Sequence, residues 1–319
     1  MLIDGIEIKG ITSDFRQVKE GYVFVAITGE THDGNNFIDL AIQQGAIVIY
    51  TERDIYRENC IIKRVDSTRK ALAELCNEFY DYPSEKFFVI GVTGTRGKMR
   101  TVNLIHHITN KYGIKSGVIS SFNIKVNEKK YPLKSTNLAT EDIYYYLNRM
   151  VDEGIKVVVM EISSQGLKHE MIHGIKLDIA IYTNIGQNYP DFNKTIDDYV
   201  KSKKKLFDNL YAGRIALINS DDKYALDMLK DINNILVITY GMSSKSTVNA
   251  SSIDIGFMTS FNYCLQRGIT TLSGIGIEPF EYPIVSNLLK NHDIYNALSV
   301  ITTCLLLDIS INDIALAIK

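Results

Sequence analysis

The stretch Phe87-Phe88-Val89-Ile90-Gly91-Val92-Thr93-Gly94-Thr95-Arg96-Gly97-Lys98-Met99-Arg100-Thr101 decides how the rest of the chain is read. A short apolar run breaks into a glycine-containing loop with one lysine. A segment with Val102, Ile105, Ile108 and Thr109 at helical spacing then follows. Strand, glycine turn and helix in that order form the context of a phosphate-binding loop, where backbone amides and a helix N-terminus converge on an anion. Lys98 would reach the outer phosphates, and the amides of Thr95 to Gly97 would cradle them. Such a loop normally continues with Ser or Thr, whose hydroxyl binds Mg²⁺. Here Met99 follows, and a thioether is a poor ligand for a hard cation. A plain glycine turn between a buried strand and a helix is the alternative; the context, not only the spacing, favours a nucleotide site.

Working outward, 319 residues are too many for one ordinary core, so two domains are expected. With 45% hydrophobic and 23% charged residues the composition is that of a soluble globular protein, expected in the cytoplasm. A formal net charge of -2 gives no general pull toward nucleic acid or acidic membranes, so neither is expected as a partner. Cys60, Cys76, Cys264 and Cys304 are scattered without a CxxC pair, which argues for reduced thiols and against structural zinc. The richest apolar run, 297–307, is too short to span a bilayer, and the N-terminus lacks a basic leader region.

Residues 1–83 read as a small α/β domain, with strands at 23–27 and 46–50 and a helix over 37–44 ending at Gly45. Ser67 is placed to cap a helix over 68–79, and Tyr82-Pro83-Ser84 breaks it. From residue 84 to 319 strands and helices alternate, which predicts a doubly wound, mostly parallel sheet. Strands are expected at 87–92, 117–120, 157–162, 179–183, 215–219 and 236–239, with helices over 143–151 and 196–210. Their continuous β-branched runs imply cover on both faces. Ligands in such sheets lie at the carboxyl ends of the strands. Residues 243–283 suggest a β appendage, and 291–307 a long apolar helix.

Several stretches together carry a resemblance. They are Ile11-Thr12-Ser13-Asp14-Phe15-Arg16, Phe24-Val25-Ala26-Ile27-Thr28-Gly29, His32-Asp33-Gly34, the Gly91–Lys98 loop, Met160-Glu161-Ile162-Ser163-Ser164, Asp178-Ile179-Ala180-Ile181-Tyr182-Thr183-Asn184, and residues 199–207. In this order they resemble the Mur ligases, and within them the UDP-N-acetylmuramoyl-tripeptide synthetases of the MurE type. The resemblance implies an N-terminal UDP-sugar-binding domain and a central ATPase domain. A C-terminal domain that brings the incoming amino acid is expected to be absent. It also implies ATP and Mg²⁺ as cofactors and a UDP-MurNAc-peptide-like acceptor whose carboxylate is activated as an acyl phosphate. The chain as it stands is then expected not to complete turnover alone.

Carried over residue by residue, the resemblance makes Lys98, Glu161 and Lys203 the catalytic candidates. Glu161 and Lys203 would be metal ligands, Lys203 only if carbamylated. Gly94, Thr95, Arg96, Gly97, Lys98, Met99 and Arg100 would contact nucleotide, with His292 and Asn296 on its adenine side. The acceptor would meet Asp14, Arg16, His32, Asp33, Gly34, Thr136, Asn137, Ser163 and Ser164. Each has a plainer reading: Glu161 as an edge charge, the lysine run as a solvated helix face, Arg16 as a structural ion pair, the short polar residues as caps and turns.

The departures fall on polar positions. Besides Met99, Arg96 and Arg100 are unusual, and Asn188-Tyr189 stands where Asp-His is usual. Gln165 replaces a His, Met171 an Arg and Phe15 a Ser. Two alternatives therefore stand beside the ligase reading. One is a catalytically impaired homologue acting as a nucleotide- and UDP-sugar-binding or scaffold protein. The other is a ligase for a different carboxylate.

Overall fold

The computed structural model describes residues 1–29, 32–132, 138–186, 195–256, 258–287 and 293–319. The chain divides into two compact units. The first joins Met1–Lys86 with Asn137–Val151 and Lys168–Ile175; the second holds Phe87–Thr136, Asp152–Leu167 and Lys176–Lys319. The sequence reading divides the chain once, after residue 83, and assigns everything later to one domain. Side chains explain why two later segments join the first unit. Glu141, on the helix Thr140–Asp152, accepts from both the amide and the hydroxyl of Ser13 at 2.5 and 2.7 Å. Asn77 donates to the Gly174 carbonyl, and His173 meets Glu74.

In the first unit Gly10–Thr12, Tyr22–Val25, Ala46–Thr51 and Ile61–Arg64 form a parallel four-stranded sheet in that order. Phe24, Ala26, Ile38, Ala41 and Ile49 close its core. The helix Thr68–Phe79 begins at Ser67, whose hydroxyl accepts the Lys70 amide at 3.3 Å, as the capping rule requires.

The second unit is built on an 11-stranded sheet. Its order runs Lys129–Tyr131, Ile124–Val126, Ser116–Ile119, Val157–Glu161, Phe88–Thr93, Ile179–Tyr182, Ile215–Asn219, Leu236–Gly241, Val248–Ile255, Thr259–Leu265, Phe280–Ser286. Every neighbouring pair from Ser116–Ile119 through Val248–Ile255 is parallel, and both ends finish in antiparallel strands. The expected β appendage is thus a continuation of the main sheet. The strand Val248–Ile255 joins Leu236–Gly241 through Tyr240 and Gly241 alone, a two-residue parallel pairing across a short connection that composition does not encode.

Alternate residues of the central strands enter different layers. Ile90, Val92, Val157, Val159, Ile179 and Ile181 pack with Val102, Ile105 and Ile108 of the helix Lys98–Lys111 and with Leu298, Ile301 and Leu305 of the helix Ile294–Leu306. Val89, Val158, Met160 and Ala180 point to the opposite face and are equally buried. Cover on both faces is why these strands read as unbroken apolar runs. The chain leaves Phe88–Thr93 toward Ser116–Ile119 on one side and later returns to Ile179–Tyr182 on the other. The carboxyl end of Phe88–Thr93 is therefore a topological switch point, where such sheets open a crevice.

Candidate functional site

Register brings three strand ends together there: Glu161 lies opposite Val92, and Tyr182 opposite Thr93. The loop that follows Thr93 is clamped by residues just beyond the Tyr182 end. The Thr95 amide donates to the Asn184 carbonyl at 2.8 Å, and the Arg96 amide to the Asn184 side-chain oxygen at 3.1 Å. In return the Thr183 hydroxyl and the Asn184 side-chain amide both donate to the Arg96 carbonyl. Two glycines make this clamp possible. Gly94 has φ +149°, and a Cβ there would collide with the Thr183 hydroxyl; Gly97 has φ +88°, and a Cβ there would strike the Asn296 side chain.

The Thr95 and Arg96 amides, expected to cradle phosphate, are thus engaged within the fold; the amides left over for an anion are those from Gly97 into the first turn of the helix Lys98–Lys111.

Two amines converge on one oxygen. Lys98 Nζ is 3.0 Å and Lys203 Nζ 2.9 Å from the Gly94 carbonyl. Lys98 also faces Glu161 at 3.6 Å, and Glu161 accepts the Ser121 amide at 3.3 Å. Lys203, on the helix Ile196–Asp208, is 1% exposed and stands 4.5 Å over the Tyr199 ring. The Tyr199 hydroxyl is 3.1 Å from that of Thr95, which accepts the Gly186 amide at 2.9 Å. Burial, and then the neighbouring Lys98 charge, hold the Lys203 amine well below the usual lysine range, while Glu161 opposes the shift. The lysine run is therefore not uniformly a solvated face: Lys201 is exposed and Lys203 is sealed.

The nucleotide-side candidates form one neighbourhood. Asn296 is buried beside Gly97 and donates to Asp293 at 3.2 Å. Asp293 also pairs with Arg100 at 3.3 Å. Arg100 Nε and the Thr101 hydroxyl are buried without a partner, two unmet hydrogen-bonding groups at the start of the loop's own helix. Met99 is 41% exposed, and Arg96 is exposed. Ser163 accepts the Gly166 amide at 3.0 Å in a capping role, and Ser164 is buried. Thr136, Asn137, Asn188, Tyr189 and His292 lie outside the described residues.

In the first unit the acceptor-side candidates are held by their own neighbours. Asp14 caps the turn Phe15–Gln17 and takes Arg16 bidentately, both contacts at 2.8 Å; the guanidinium lowers its carboxyl pKa. Asp33 caps Gly34–Phe37, pairs with Arg53 and is likewise lowered, chiefly by Asn35. The His32 carbonyl accepts the Gly29 amide, and the Gly34 amide donates to Ile27. Phe15 stacks on Phe37 with ring centroids 4.5 Å apart, which joins the two turns.

A magnesium ion asks for several hard oxygen ligands. The side chains gathered at the Gly94 carbonyl are two amines and one carboxylate already paired with Lys98, and the residue after Lys98 is a thioether. Among the described residues no group of three His, Cys, Asp or Glu side chains could hold a metal. The unmodified donor set does not fit such an ion. Sequence reasoning missed Asn184 as the loop's clamp and Asp293 as the partner of Arg100 and Asn296. Asn184 had a signal, a carboxamide directly after an apolar strand; Asp293 had none.

A glycine loop between strand and helix, at the switch point of a parallel sheet, is the architecture of phosphate-loop proteins. The family profile of the Mur ligase middle domain matches residues 92–304, and that described as the Mur ligase family catalytic domain matches 7–80. The chain belongs to the Mur ligase family. It is 32% identical to the UDP-N-acetylmuramoyl-L-alanyl-D-glutamate--2,6-diaminopimelate ligase of Geobacillus kaustophilus, covering 98% of this chain and 62% of the relative. It is 35% identical to the ligase of the same name from Aquifex aeolicus, covering 91% and 57%. The chain thus spans about three fifths of the length of these relatives. A solved structure of a ligase of that name superposes with TM-score 0.81 at 20% identity, over 99% of this chain and 65% of that one. The MurF ligase of Thermotoga maritima, solved with ADP, gives 0.60 at 20% identity, over 98% and 67%. Among the described residues no helix is long and apolar enough to cross a membrane.

Proposed function

We propose that the chain carries the acceptor-side and nucleotide-side parts of a MurE-type, ATP-dependent acid–amino acid ligase of peptidoglycan precursor synthesis. Residues 1–83 would serve the UDP sugar and 84–319 the nucleotide, with a UDP-MurNAc-peptide as acceptor. One observation carries the reading: Lys98 and Lys203 reach the Gly94 carbonyl from two helices, and Glu161 faces Lys98 from a strand end. ATP, when bound, supplies the phosphoryl group that activates the acceptor carboxylate toward an amine.

The residues supply position and charge. Lys98 is aimed by Glu161 and meets the outer phosphates. Thr183 and Asn184 fix the loop, so the helix amides are pre-aligned rather than recruited. Asn296 shapes the adenine side, with His292 as its sequence neighbour. Asp14, Arg16, His32, Asp33 and Gly34, with Thr136, Asn137, Ser163 and Ser164, remain the acceptor candidates.

Calorimetry tests this directly. Saturable binding of ADP and of UDP-MurNAc-dipeptide is expected; absence of nucleotide binding would sink the reading. Met99 and the engaged Glu161 favour a second reading, a binding or scaffold protein without turnover. Phosphate release from ATP in the presence of acceptor and amino acid separates the two.

A further inference from the structure

We propose that this site binds a nucleotide's polyphosphate without a resident divalent cation, Lys98 and Arg96 supplying the charge. The inference rests on the nucleotide reading above and specifies how that site neutralises its ligand.

The argument starts from what converges on the Gly94 carbonyl. Two amines lie within hydrogen-bonding distance of it, at 3.0 and 2.9 Å, with Glu161 as the carboxylate that faces Lys98. A divalent ion placed among them would meet two amine nitrogens, and one carboxylate whose partner it must displace. The position that should add a hydroxyl holds Met99 instead. An anion meets the opposite situation. Arg96 is exposed in the loop itself, and its planar fork suits phosphate oxygens. Arg100 Nε and the Thr101 hydroxyl are donors left unmet in the same helix. The loss of one cation ligand and the presence of extra guanidinium groups occur within five consecutive residues, Arg96 to Arg100. Of the side chains gathered here only Glu161 suits a cation, and Lys98 already faces it; Arg96 and Lys98 suit phosphate.

Calorimetry of ADP and ATP with the full chain, in excess Mg²⁺ and again in EDTA, tests the proposal. Dissociation constants within about threefold of each other are expected. Binding that weakens more than about tenfold in EDTA overturns the inference and leaves the nucleotide reading standing. No binding in either buffer overturns both. Arg96→Ala, an exposed change whose folding is checked by thermal melting, is expected to weaken ADP about tenfold in EDTA. Unchanged affinity in that variant also overturns the proposal.

Discussion

The Gly94 loop and the paired turns around Asp14 and Asp33 are all short polar motifs, yet the groups at their centres find their partners over different distances in the chain. Asp14 and Arg16 satisfy each other across two positions of sequence, as do Asp33 and Asn35. The Gly94 loop is held from Asn184, 88 residues away at Arg96, and from Lys203, 109 residues away. Local satisfaction is turn chemistry, complete without a ligand. A loop reached by Lys203 and Asn184 from distant elements requires the whole sheet, and unmet donors lie in the helix that follows it. The second pattern is the stronger sign of a site.

The comparison breaks most visibly at Gly94. Ala there must leave its positive φ and displace the Thr183 hydroxyl and the Asn184 backbone. Gly94→Ala is expected to lower unfolding free energy by about 3 kcal/mol or more and to abolish nucleotide binding, read by denaturant titration and calorimetry. Retained binding would mean that the loop tolerates slack and that the clamp has been overvalued.

A smaller effect is expected from the buried polar network on the far part of the helix Lys98–Lys111. His106 Nδ1 is 2.8 Å from the Ser116 hydroxyl, and burial pushes its pKa down to about 4. The folded state thus holds His106 neutral where the unfolded chain, titrating near 6.5, takes up a proton. Stability from this group is complete above about pH 6.5 and is lost as pH falls toward 4, a change of about 2–3 kcal/mol. His106→Asn is expected to flatten that part of the stability–pH curve. An unaltered slope between pH 6.5 and 4 would place the proton elsewhere.

These two sites also show what was legible in the sequence. The central strands were readable because burial on both faces leaves continuous apolar runs, as at Val157–Glu161 and Ile215–Asn219. Ser67 announced its helix because capping is a contact within three residues. The strand Val248–Ile255 reads as an appendage because its parallel pairing with Leu236–Gly241 rests on two residue pairs only, too little to mark in composition. The Thr95 and Arg96 amides were assigned to a ligand because nothing near them in sequence reveals Asn184 as their acceptor. Lys203 was singled out from its lysine neighbours only by resemblance; helical position alone does not say which of them the sheet will bury.

Asp14 sharpens the contrast from the first unit. Its carboxylate caps the turn Phe15–Gln17 through the Arg16 amide at 3.0 Å. Asp14→Ala is expected to cost about 1 kcal/mol, the ordinary value for a lost cap, measured as a shift in denaturation midpoint. A loss comparable to that of Gly94→Ala would show that the two turns are under tertiary control after all.

Arg16 gives the smallest structural effect and the cleanest separation of roles. Its guanidinium is 75% exposed, so its pair with Asp14 is screened by water, and Arg16→Ala is expected to leave the denaturation midpoint unchanged. Affinity for UDP-MurNAc-dipeptide is nevertheless expected to fall severalfold, because a planar donor fork pre-oriented by Asp14 suits a diphosphate. If midpoint and affinity both stay put, Arg16 belongs wholly to its local turn, and the acceptor's phosphates must be met by other residues. The first unit's polar motifs would then be scaffold throughout, and the difference from the Gly94 loop would be one of kind.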